Sequence, residues 1–217
     1  MFKLIIIDLD DTIVNYSYAN KIAFDLLMEE LYKHTKNSSL SVKHKEIKDK
    51  LYIDYDNKFI RHDKLLQLKL LCNDIGIKDF CLIQNLYELY EKTYLDNLSI
   101  NDECFKFLNS CLDNNLKVCI MTNNLLSIQL KVCNKFGLNK FIDALFTSNE
   151  FMFEKPHEDC LNYIINYYGY NKNEILVIGD SIENDIQWGK NNGIKTILCD
   201  YFSFCNLNKD FFKLYFI

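Results

Sequence analysis

Asp8, Asp10 and Asp11 follow directly on the apolar run Leu4-Ile5-Ile6-Ile7. Carboxylates this close repel one another, and desolvation at the end of a buried run adds to the cost. A metal ion or a proton-transfer role would explain the arrangement. Residues two apart on a strand point to the same side, so Asp8 and Asp10 could serve one ligand. Similar groups recur along the chain: Thr122-Asn123, Glu154-Lys155-Pro156, and Gly179-Asp180-Ser181 with Asp185 five residues after Asp180. Taken alone, each reads as ordinary turn or helix-capping chemistry, and Lys155 as a surface lysine. Their order and spacing together are what point to a site.

The elements that must position these residues alternate. Residues 3–7 read as a short buried strand, and further strands are expected over 118–122, 144–147, 175–178 and 195–199. Helices are expected over about 101–114, 126–136, 157–168 and 183–191, with Gly137 and Gly169 where helices commonly end. This alternation predicts an α/β fold, a Rossmann-like parallel sheet covered on both faces. Ligands of such sheets bind at the carboxyl ends of the strands, which is where the polar groups fall. Residues 17–35 instead carry apolar residues at helical spacing (Ala19, Ile22, Ala23, Leu26, Leu27, Leu31), 36–41 read as a loop, and 42–98 stay helical with a break at Gly76. The expected organisation is a helical cap, residues 16–98, inserted after the first strand of a core built from residues 1–15 and 99–217.

At 217 residues and 49% hydrophobic, the chain can bury a large core. A net charge of −5 argues against nucleic acid as a partner, so positive charge for an anionic substrate must be local or come from a bound cation. The nine cysteines form no CxxC pair and several lie in apolar runs, as expected of buried thiols in a reducing, cytoplasmic setting. No membrane span and no signal-peptide layout is expected. The aromatic segment Phe211–Phe216 is expected to pack on the core or form an interface, and the oligomeric state is left open.

The four polar groups, in this order, resemble the motifs of the haloacid dehalogenase (HAD) superfamily. Asp8-Leu9-Asp10-Asp11-Thr12 is similar to its first motif, Thr122-Asn123 to its second, Lys155-Pro156 to its third, and Gly179-Asp180 through Asp185 to its fourth. The resemblance covers residues 1–15 and 100–200. Asp11 and Asn124 stand where many members have Gly, and both are residues that tolerate left-handed backbone. The insertion resembles the C1 cap of the family's first subclass. Within that subclass the chain looks most like small-molecule phosphatases such as N-acylneuraminate-9-phosphatase and the nucleotidase-like members.

The resemblance implies a Mg²⁺-dependent phosphomonoester hydrolase acting on a small phosphorylated metabolite through an aspartyl-phosphate. Asp8 would be the nucleophile, and Asp10 would protonate the leaving oxygen and then deprotonate water. Asp8, the backbone carbonyl of Asp10 and Asp180 would hold Mg²⁺. Thr122 and the Asn123 backbone N–H would bind the phosphoryl oxygens, Lys155 would balance their charge, and Asp185 and Thr12 would orient these groups. Arg61, the only arginine of the chain, is a candidate phosphate or carboxylate reader in the cap, against an exposed residue or an ordinary salt bridge to Asp63 or another acid. A haloacid dehalogenase, a phosphomutase or a non-catalytic binding protein on the same fold are the alternatives. Asp10 and Asp180 argue against the dehalogenase, which needs no metal.

Overall fold

A computed structural model of the chain describes residues 1–54, 59–204, 207 and 211. The described residues divide into two compact units, Met1–Asn15 with Ser99–Ile217, and Tyr16–Leu98.

The first unit opens with β1 (Leu4–Ile7), whose four side chains are all buried. The second unit follows, with α1 (Tyr16–Thr35), α2 (Leu40–Asp54), α3 (Lys64–Asp74) and α4 (Phe80–Asn97). The chain then returns through α5 (Asp102–Asp113), β2 (Lys117–Thr122), α6 (Leu126–Phe136), β3 (Ala144–Thr147), α7 (Ser148–Phe151), α8 (Glu158–Tyr168), β4 (Ile175–Gly179), α9 (Trp188–Asn191) and β5 (Lys195–Leu198). The five strands form one parallel sheet in the order β3-β2-β1-β4-β5. β1 is therefore the strand from which the chain builds outward in both directions. In an open parallel sheet, that switch point leaves a crevice at the carboxyl end of the strand. Asp8 is the first residue past that end. Apolar residues close the core beneath, among them Ile6, Met121, Phe146, Ile164, Val177 and Trp188. Phe211 is buried with its ring 5.2 Å from Phe107, so this first residue of the aromatic segment packs on the core. Phe212–Phe216 lie outside the described residues.

Among its described residues the second unit has only helical elements. Asp63 and Asp79 cap α3 and α4 by accepting from the N–H groups of Leu66 and Leu82. Tyr90 donates from its hydroxyl to Asn20 Oδ1 at 2.6 Å, tying α4 to α1. α2 begins at Leu40, inside the stretch expected to be loop, because Leu40 is buried and anchors the first turn. The expected helical stretch from 42 onward is interrupted at Asp63, the extended cap of α3, as well as at Gly76, where φ is +82°. All eight described cysteines are free thiols, six of them buried. No helix of the described residues is long and apolar enough to cross a membrane.

Candidate active site

The Leu9–Val14 loop is a tight turn that carries two of the expected site residues, Asp10 and Thr12. Val14 N–H and Ile13 N–H both donate to Leu9 O, and Asp11 N–H donates to Val14 O at 2.8 Å. Asp11 turns the loop with φ +60°, the conformation for which glycine is the usual choice. Asp11 thus serves the backbone. Thr12 is fully buried and clasps the start of the β4 loop: its hydroxyl donates to Asp180 Oδ1 at 3.2 Å and accepts from Asp180 N–H at 3.1 Å.

Lys155 is the centre of the cluster. Its Nζ lies 2.6 Å from Asp8 Oδ1 and 2.6 Å from Asp185 Oδ1, and all three side chains are buried. The reading of Lys155 as a surface lysine is therefore excluded. Asn123 positions it: Lys155 N–H donates to Asn123 Oδ1 at 2.7 Å, and Asn123 Nδ2 donates back to Lys155 O at 3.0 Å. Burial disfavours the charged form of Lys155, but the Asp185 and Asp8 carboxylates outweigh it and hold its pKa above the ordinary lysine range.

Asp185 arrives by a wide turn. The expected helix over 183–191 is a π turn, Ile182–Gln187, leading into α9. Ile186 N–H reaches back five residues to Ser181 O at 3.2 Å, and Ser181 caps the turn by accepting from Asn184 N–H. The second carboxylate oxygen of Asp185 accepts from Ser181 N–H at 3.1 Å. Gly179 makes room for it. A Cβ built there would lie 2.3 Å from Asp185 Cγ. Gly179→Ala is expected to push Asp185 off Lys155 and cut turnover about 100-fold, since ångström-scale misplacement costs that much. Steady-state kinetics of the variant check this, and an unchanged kcat would contradict it.

Three carboxylates, Asp8, Asp180 and Asp185, offer oxygens that all lie within 4.8 Å of one another. Burial pushes the Asp8 carboxyl well above the usual carboxylate range, against the pull of Lys155, and also raises Asp180. With one ammonium among these acids, hard oxygen donors crowd a place that favours further positive charge. This donor set fits Mg²⁺.

The Asp10 carboxylate is not part of that cluster. It turns toward α6, where Oδ2 accepts from Asn124 Nδ2 at 3.1 Å and from Gln129 Nε2 at 2.8 Å. Burial pushes its pKa up to about 6, the two amide donors opposing the rise. Thr122 is buried at the end of β2, its Oγ1 accepting from Asn124 N–H and Gln129 Nε2, both at 3.2 Å. Sequence reasoning passed over Gln129 because it sits mid-helix with nothing chemical around it in the chain. Trp188 is buried in the core, with its indole N–H donated to His157 O.

The structure thus brings together Asp8, Lys155, Asp180 and Asp185, with Thr12 on Asp180, Asn123 on Lys155, and Asp10 with Thr122 around Gln129. Arg61 belongs to the Tyr16–Leu98 unit. There its guanidinium lies 4.3 Å from the Tyr52 ring centre, and its carbonyl accepts from the buried Gln67 Nε2 at 2.7 Å. Asp63, one of the acids considered as a partner for it, caps α3.

Comparison with known proteins agrees with this geometry. Residues 5–199 match the model of the haloacid dehalogenase-like hydrolases. The chain is 27% identical to the glyceraldehyde 3-phosphate phosphatase of Methanocaldococcus jannaschii over 91% of its own length and 84% of that protein's. It is 26% identical to the pyrimidine 5'-nucleotidase PynA of Streptococcus pneumoniae, covering 90% of this chain and 83% of that one. Its fold is similar to the 2-haloacid dehalogenase of Pseudomonas syringae, with a TM-score of 0.70 at 18% identity over 91% of this chain and 86% of that one. A match over nearly the whole chain, on a sheet that carries all four motifs at one end, makes this chain a member of the haloacid dehalogenase-like hydrolase family.

Proposed function

We propose that the chain is a Mg²⁺-dependent phosphatase of small phosphorylated metabolites, working through an aspartyl-phosphate on Asp8. The observation that carries this reading is the Lys155 ammonium held 2.6 Å from both Asp8 and Asp185, beside Asp180. Asp8 and Asp180, with the Asp10 carbonyl, would hold Mg²⁺. When bound, Mg²⁺ supplies neutralisation of charge on the transferring phosphoryl group.

The residues of the chain divide the rest of the work. An Asp8 oxygen attacks phosphorus as the bond to the leaving oxygen breaks, and Asp10 gives that oxygen its proton. Asp10 then takes a proton from the water that attacks phosphorus, the bond from phosphorus to Asp8 breaks, and phosphate leaves. Lys155 offsets the charge shared by Asp8 and the phosphoryl group, and Thr122 and the Asn123 N–H bind its oxygens. A dehalogenase would have no use for a buried, separately held acid at Asp10.

Release of phosphate from p-nitrophenyl phosphate tests the reading. Activity is expected with Mg²⁺, loss to background after chelation, and recovery on adding Mg²⁺ back. No phosphate release from this ester, nor from phosphorylated sugars, nucleotides and short organic acids, would sink it. We assign substrate choice to the Tyr16–Leu98 unit, which resembles the family's cap, with Arg61, the only arginine, as its reader; a lysine cannot reproduce a bidentate guanidinium contact. Arg61→Lys is expected to raise KM for the best substrate about tenfold at similar kcat, and an unchanged KM would exclude Arg61 from that role.

A further inference from the structure

Gln129 has no place in the mechanism above, yet it is fully buried on α6 and its amide reaches two residues of the site. Its Nε2 donates to Asp10 Oδ2 at 2.8 Å and to Thr122 Oγ1 at 3.2 Å. Asn124 Nδ2 donates to the same Asp10 oxygen at 3.1 Å. The other oxygen, Asp10 Oδ1, is buried and has no hydrogen-bond partner among the described residues, and neither has Gln129 Oε1. Unmatched buried acceptors are costly and uncommon. Turning the amide over would set Gln129 Oε1 against the Asp10 carboxylate, so the unmatched acceptor follows from aiming Nε2 at Asp10.

We propose that Gln129 is a positioning residue that, with Asn124, fixes Oδ2 of Asp10 and so presents Oδ1 as the oxygen that exchanges the proton. The same amide also touches the Thr122 hydroxyl. Thr122 Oγ1 accepts from both Asn124 N–H and Gln129 Nε2, which fills its two acceptor positions and leaves its own hydrogen to donate. The Asn124 backbone N–H, which neither substitution below removes, still holds Thr122 Oγ1 when the Gln129 amide is lost, so that loss falls on Asp10. This inference rests on the phosphatase reading and assigns Gln129 a role within it.

Leaving-group dependence is the test. An acid matters when the departing oxygen is strongly basic, as in benzyl phosphate, and little when p-nitrophenolate departs. kcat/KM reports the first phosphoryl transfer, where the two esters differ. For Gln129→Met, kcat/KM on benzyl phosphate is expected to fall about 10- to 100-fold, within the reach of positioned acid–base groups. On p-nitrophenyl phosphate it is expected to stay within about twofold. Asn124→Ala is expected to give the same signature, and it decides the matter if Gln129→Met does not fold. Equal losses on both esters, or no loss on either, would overturn the proposal while leaving the phosphatase reading intact. A wild type that hydrolyses only the p-nitrophenyl ester would also overturn it, and one that hydrolyses neither would remove the phosphatase reading as well.

Discussion

Asp8→Asn is expected to abolish turnover and to leave the fold at least as stable as before. Loss of the attacking oxygen anion should cost on the order of 10⁴- to 10⁶-fold in kcat, the range seen when a nucleophile is deleted from an otherwise intact site. Stability responds in the opposite sense. Asp8 is buried, and burial holds its carboxyl well above the usual range, so its ionised form is held at a cost. A neutral amide of the same shape removes that cost. Lys155 keeps Asp185 at 2.6 Å, leaving one cation with one anion. A thermal melt of the metal-free protein should show Tm unchanged or raised by a few degrees, at about 2–4 °C per kcal/mol for a chain of this size. A variant that retains activity would exclude Asp8 as nucleophile, and a variant that melts well below the wild type would contradict the account of its electrostatics.

Lys155→Met should fail on both counts. The ammonium joins two buried carboxylates, and removing it leaves both without their cation. Breaking a buried pair from one side costs about 3–5 kcal/mol. That corresponds to a fall in Tm on the order of 10 °C. Activity should also fall on the order of 10³-fold or more, because the charge on the phosphoryl group loses a fixed donor. The paired outcomes separate the two residues: Asp8→Asn is inactive and stable, Lys155→Met inactive and unstable. A Lys155→Met protein that melts with the wild type would show that the ion triad is not what holds these loops.

Much of this was legible in the sequence because parallel strands advertise themselves. Leu4–Ile7, Lys117–Thr122 and Ile175–Gly179 are apolar and branched, and each stops where polar residues begin. Turn chemistry then puts Asp8, Thr122 and Asp180 at one end of the sheet. What was hidden depends on approach in space. Gly179 reads as a turn glycine, and only the position of Asp185 shows that a Cβ would collide there. The π turn has no local signature, since the bond from Ile186 to Ser181 differs from a helical one only in its span. Gln129 is an ordinary helix residue until β2 and the Leu9–Val14 loop are brought beside α6. Lys155 taken alone reads as a solvated lysine, because its two partners lie 147 and 30 residues away in the chain, and only the order of the four groups marks it. In the second unit, Leu40 started a helix where polar neighbours suggested a loop, because its own burial outweighed local propensity.

The central claim is a covalent phosphoryl group on Asp8, and it can be trapped. Asp10→Asn should slow the second step, which needs a base for water, more than the first step with p-nitrophenyl phosphate, whose leaving group needs little acid. The phosphoenzyme should then accumulate with Mg²⁺ present. Acid quenching followed by borohydride reduction converts an acyl phosphate to the alcohol, so peptide mapping should find homoserine in place of Asp8 and nowhere else. Nitrophenolate release by this variant with Asp8 intact, or with the modification on any other residue, would contradict the mechanism.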